Sequence, residues 1–134
     1  MILHGIGKTF IGALEQTCLA MFNVFTPLEV IEQLNQREEI IHVEDAEDKY
    51  DFVYHVLDEL LFVFCTEFFV AKQVSIENVI QDENGHFSAS IRIFGETFVL
   101  GKHEQGTEIK AVTMHNMRIF ETPEETNILV TVDI

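Results

Sequence analysis

His55, Asp58 and Glu59 follow one another at helical spacing, three and four residues apart, which stacks side chains on one face of a helix. A histidine beside two carboxylates can exchange protons as a general acid and base or hold a cation weakly. A solvated acidic helix face gives the same pattern and is the simpler reading. A second grouping lies at the end of the chain, where Asp133 is followed by Ile134 and its terminal carboxylate. Two hard oxygen donors this close make half a site for Ca2+ or Mg2+, ions that take more ligands than these, although many chains end in an acidic residue. Positive charge returns around Lys102, His103 and Lys110; Lys110 stands beside Glu108 in a predicted strand, where a same-face or cross-strand ion pair is the ordinary role. No nucleophile elbow, phosphate-cradling glycine loop, HExxH pair or Cys-x-x-Cys site occurs, so no familiar catalytic or zinc signature is present. The 6 histidines are scattered, without the close pair that a preformed zinc site uses.

Composition narrows the partners. The chain has 134 residues, 8 Lys plus Arg against 23 Asp plus Glu, and a formal charge of -15. Such a surface repels phosphate backbones, so direct nucleic-acid binding is not expected; basic protein faces or cations fit it better. With 47% hydrophobic residues and 12 Phe, the chain holds enough apolar surface for one folded domain. Cys18 and Cys65 both fall on predicted apolar helix faces and are expected as buried, reduced thiols, which favours an intracellular, cytoplasmic or nuclear, setting. No apolar run approaches the roughly 18 residues of a membrane helix, and no membrane association is expected.

The elements that must position these groups follow from periodicity. Thr9 is a candidate N-cap for a helix carrying Phe10, Leu14, Cys18, Met21, Phe22 and Phe25 on one stripe, ended by Thr26-Pro27. Ile2-Leu3-His4 reads as a short strand fragment broken by Gly5 and Gly7. Residues Leu28 to Arg37 fit either a helix or a strand and turn. Glu39 to Glu44 reads as a strand, and Asp45, Glu47 and Asp48 as favourable negative charge at the start of a central helix. That helix carries Phe52, Val53, Val56, Leu57, Leu60, Leu61 and Phe64 inward. Beyond Lys72 the pattern turns to alternation: a strand to Ile80, an Asp82-Glu83-Asn84-Gly85 hairpin turn, a strand from His86 to Phe94 with Phe87, Ala89, Ile91 and Ile93 inward, and a turn at Gly95. A short Thr97 to Leu100 segment, a polar loop, one long bent strand from Thr107 to Phe120 and a last strand from Asn127 to Ile134 complete the chain. The expected class is α+β, with two helices packed on a mostly antiparallel β-sheet.

Taken together and in order, Gly7-Lys8-Thr9-Phe10, Ala20-Met21-Phe22, Leu57-Asp58-Glu59-Leu60-Leu61-Phe62, Glu67-Phe68-Phe69, the run from Lys102 to Thr113 and the terminal Val132-Asp133-Ile134 resemble the archease family over nearly the whole chain. The resemblance implies a non-catalytic protein that activates an RtcB-type RNA-splicing ligase in tRNA splicing, promoting guanylylation of the ligase histidine and repeated turnover. It also implies a divalent cation, typically Ca2+, held by an Asp near the N-terminus and the C-terminal Asp-Ile pair. By position Asp133 and Ile134 match metal ligands, Lys110 a lysine important for activation, and Asp58 an acidic family position. Family members open with a strand ending in Asp-His-Thr-Ala-Asp, which this chain starts too late to contain. The expectation is therefore a single, N-terminally truncated domain over residues 1–134 with weakened cation binding. Gly12 replaces a usual acidic residue.

Two other classes fit the residues alone. An acidic interaction or chaperone-like module without ligase specificity would bind several basic proteins without metal dependence. An independent hydrolase or phosphotransferase would use His55, Asp58 and Glu59 and act with no ligase present.

Overall fold

The computed structural model describes residues 1–31 and 37–134. β1 (Ile2–Gly7) leads into α1 (Phe10–Phe25) and a single 3-10 turn at Leu28–Val30. β2 (Arg37–Ala46), α2 (Lys49–Glu67), β3 (Phe69–Gln81) and β4 (Phe87–Thr97) follow, then β5 (Ala111–Val112), β6 (Arg118–Glu121) and β7 (Thr126–Asp133). The segment left open between helix and strand is a 3-10 turn where described, and its remainder, 32–36, lies outside the described residues.

The α+β class holds, with the strands divided into two antiparallel sheets. In one, β2 and β3 flank β4; in the other, β7 has β1 along one edge and β5 and β6 along the opposite edge. α1 lies on β1 and β7 and also meets β3, while α2 packs on β2, β3 and β4 and on β5 of the β7 sheet. One continuous cluster of buried side chains joins all these elements. Phe22 and Phe52 are completely enclosed, and truncating such a ring to alanine typically costs about 3–5 kcal/mol.

Both helices start as the caps dictate. The Thr9 hydroxyl accepts from the Gly12 N–H at 3.0 Å, and the Asp48 carboxylate accepts from the Asp51 N–H at 2.8 Å. Asp51 reaches back to the Glu47 N–H at 2.9 Å, so the Asp48 and Asp51 carboxylates are spent on starting α2. α2 ends on Phe68, a bulky residue in the left-handed region with φ 54, a conformation that costs roughly 1–2 kcal/mol without glycine.

Several expectations need correction. β1 is a full strand rather than a fragment, because β7 pairs with it residue by residue from Ile2 to Gly7. Cys18 is buried but Cys65 is exposed, since the last turn of α2 borders an open cleft instead of packed core. Gly95 does not turn the chain; it lies inside β4, where a Cβ would stand 1.9 Å from the Val70 carbonyl oxygen of the neighbouring strand. Thr97 to Leu100 is not a strand: the Phe98 N–H is taken by Phe68 O at 2.6 Å, and beyond it Leu100 makes only an isolated bridge to His103. The expected long strand from Thr107 to Phe120 is two short ones, because residues Gly106 and Thr107 bond to α1 and a turn with Asn116 at φ 53 separates β5 from β6. In the Asp82 hairpin only Gly85, not Asn84, takes a positive φ.

Candidate functional site

β7 is the centre of its sheet and carries Asp133 as its final residue. Ile128, Val130 and Val132 alternate into the core, leaving Asp133 exposed; Ile134, next in the alternation, is also exposed because the sheet ends there. β5 meets this end, with Ala111 opposite Asp133 and Val112 opposite Val132. The Lys110 N–H donates to the Asp133 carbonyl at 2.7 Å. Lys110 therefore precedes β5 rather than sitting within a strand. No ion pair with Glu108 or Asp133 forms among the described residues, and the Lys110 side chain is exposed.

The approach of the Lys102–Lys110 segment is fixed by α1. The Gly106 N–H donates to Phe25 O and the Thr107 N–H to Val24 O, both at 2.8 Å. These carbonyls end α1 and have no partner inside the helix. A Cβ on Gly106 would meet Val24 O at 2.1 Å, so only glycine lets the backbones approach this closely. At the head of the segment, Lys102 Nζ and His103 Nε2 lie 2.6 and 3.2 Å from Glu96 Oε1. His103 is buried, its ring stacks on Phe98, and its Nδ1 accepts from the Val99 N–H at 2.8 Å, which assigns the proton to Nε2. Lys102 and His103 thus close a loop on Glu96. This pairing was hidden in the sequence, since Glu96 shows no local sign of burial.

The other predicted residues separate. His55 pairs with Asp51 at 3.1 Å, one turn earlier on α2, and no hydrogen bond or ion pair joins it to Asp58 or Glu59 among the described residues. Asp58 is half-buried on α2 and has no such link to Asp133 or Lys110. The structure gathers Asp133, Ile134 and the Lys110 backbone, and Asp58 stands on α2 with no hydrogen bond or ion pair to them among the described residues.

For a divalent cation, the donors at the end of β7 are the Asp133 carboxylate and the terminal carboxylate of Ile134. Hard oxygens suit Ca2+ or Mg2+ in kind, but two carboxylates fall short of the roughly six to eight oxygens that Ca2+ takes, so they fit as part of a shell. Among the described residues, the grouping of three potential ligand atoms within 4.8 Å is elsewhere, at Asp45, Asp82 and His86. The bulge after Val43 in β2 and the β3–β4 hairpin bring these together. Asp82 Oδ1 already accepts from the Asn84 and His86 N–H groups at 2.8 and 2.9 Å. The His86 and Asn84 bonds hold its carboxyl below the usual value.

Among the described residues these features define an α+β fold of two antiparallel sheets and two helices, with the exposed Asp133 and a lysine brought to one sheet end. The sequence profile of the Archease protein family (MTH1598/TM1083) matches residues 1–134. Among curated proteins, the chain is 38% identical over 135 residues to a protein archease-like of Drosophila melanogaster, covering 98% of this chain and 83% of that one. It is 37% identical to the Dictyostelium discoideum protein archease-like, covering 100% and 87%, and 31% identical to Pyrococcus furiosus protein archease, covering 91% and 82%. The solution structure of Methanobacterium thermoautotrophicum protein 1598 superposes with a TM-score of 0.74 at 29% identity, covering 98% of this chain and 89% of that one. The chain belongs to the archease family.

Proposed function

We propose that this chain is a non-catalytic activator of an RtcB-type RNA-splicing ligase, acting in tRNA splicing by promoting ligase guanylylation and multiple turnover. Membership of the archease family supports the reading, and the observation that carries it is the convergence of Asp133 and Lys110 at one exposed sheet end through the 2.7 Å bond from Lys110 N to Asp133 O. In this reading Asp133 and the Ile134 carboxylate bind a divalent cation, Ca2+ by family likeness, with the remaining oxygens supplied by water or by the ligase. Bound there, the cation adds positive charge that can meet nucleotide phosphate. Lys110, unpaired among the described residues, offers an ammonium for phosphate or a ligase carboxylate. Asp58, on α2, contributes an acidic group to the surface that meets the ligase.

A net charge of -15 suits docking on a basic RNA-binding surface and disfavours direct RNA contact. No described helix is long and apolar enough to cross a membrane. The test is ligase guanylylation with GTP, with and without the protein. Stimulation by the parent chain that is lost in Asp133→Ala and reduced in Lys110→Ala supports the proposal; equal stimulation by all three refutes it.

A further inference from the structure

Beside the segment that delivers Lys110 lies an apolar cleft of about 580 Å3. Phe25, Phe64, Phe98 and Ile109 line it, with Phe25 and Phe64 stacked face to face at 3.9 Å. Its lip is apolar: Phe68 is 56% and Leu100 71% exposed. Phe68 also occupies the left-handed cap of α2, where glycine would be relaxed. Its ring meets Phe64 edge-on at 6.4 Å within the chain, and the part left in water at the cleft edge is apolar surface of the kind that marks interaction sites.

The charge around the cleft narrows what fills it. Among the described residues that line it, Glu108 is the charged one and none is Lys or Arg. Glu108 lies close enough to act on the Cys65 thiol, whose pKa is raised first by burial and then by this carboxylate. In the bordering segment Lys102 is held on Glu96 and Lys110 follows Ile109, while the chain as a whole carries a formal charge of -15.

We infer that this cleft is a docking site for a basic segment of a partner protein, which inserts a leucine or phenylalanine side chain between Phe64, Phe68 and Leu100 and sets a flanking Lys or Arg against Glu108. Desolvated aromatic pockets with a matched charge at the rim are where protein contacts concentrate their binding. The inference does not depend on the ligase reading, since it uses only the cleft and its charge.

The test uses three eight-residue peptides titrated into the full chain and followed by amide NMR shifts. They are Lys-Arg-Gly-Leu-Phe-Gly-Arg-Lys, the same with Ser-Ser for Leu-Phe, and the same with Glu for every Lys and Arg. The first is expected to shift amides of Cys65, Phe68, Leu100 and residues 105–109, with both controls at least about tenfold weaker. Phe68→Gly, which suits the left-handed backbone and so preserves folding, and Leu100→Ser are each expected to weaken binding about tenfold or more. Glu108→Gln is expected to weaken it about threefold and reduce its salt dependence. Three results overturn the inference: equal binding of the control peptides, shifts lying elsewhere, or shifts of the cleft residues that appear with protein concentration alone, which would assign the cleft to a second copy of this chain.

Discussion

Replacing Gly106 with alanine isolates what the Lys102–Lys110 segment owes to its glycine. The added Cβ would stand 2.1 Å from Val24 O and 2.9 Å from Phe25 O. Ordinary contact begins at 3.4 Å, more than 1 Å beyond the Val24 distance, and both neighbours are backbone atoms that cannot swing aside, so the segment must lift. Lifting breaks the Gly106–Phe25 and Thr107–Val24 bonds, both 2.8 Å, at about 0.5–1.5 kcal/mol net for each. Alanine recovers about 0.4–1 kcal/mol by stiffening the unfolded chain. The net expectation is a loss of roughly 1–2 kcal/mol, a fall in Tm of about 5 °C for a chain of this size. Differential scanning calorimetry reads the Tm, and amide exchange at Gly106 and Thr107 shows whether the loss is local. An unchanged or raised Tm, with both amides still protected, would refute the close-approach explanation.

Two further outcomes follow from the titrating groups. A thiol reagent should label only Cys65 in the folded protein, because Cys18 is fully buried and its thiol is pushed far up by desolvation; Glu108→Gln should speed that labelling at pH 8, since removing the negative charge lowers the Cys65 pKa and increases thiolate. Labelling of both thiols in native protein, or slower labelling in the variant, would contradict this. The Asp82 carboxyl is depressed below 3.8 in the fold, so its contribution is fully present above that value and is lost as pH falls through the folded pKa. The parent should exceed Asp82→Asn in urea midpoint at pH 7, with the gap closing below 3.8; a pH-independent gap would show that the charge is not what matters.

Local periodicity carried much of the fold. The α1 stripe, the Thr9 cap, the inward row Phe87, Ala89, Ile91 and Ile93, and the β7 alternation are all readable from side-chain spacing, because each face meets one continuous core. Contacts made across the chain were not. Cys65 keeps the spacing of Leu61 but not its cover, since the cleft opens beside it. The run from Thr107 to Phe120 has strand composition throughout, yet its first residues are diverted to the carbonyls ending α1. The meeting of Asp45, Asp82 and His86 depends on a bulge and a hairpin far apart in sequence. At the candidate site, Asp133 was singled out by its place at the chain's end and Lys110 by family resemblance, but their approach comes from the pairing of β5 with β7, which no local pattern encodes.

The most direct test of the central claim is multiple-turnover RNA ligation by an RtcB-type ligase with GTP and limiting enzyme, run with no addition, with this chain, and with its Asp133→Ala variant. The account predicts sustained turnover with the parent chain and little beyond the first round with the variant. Equal turnover with parent and variant, or no stimulation by the parent, would contradict it.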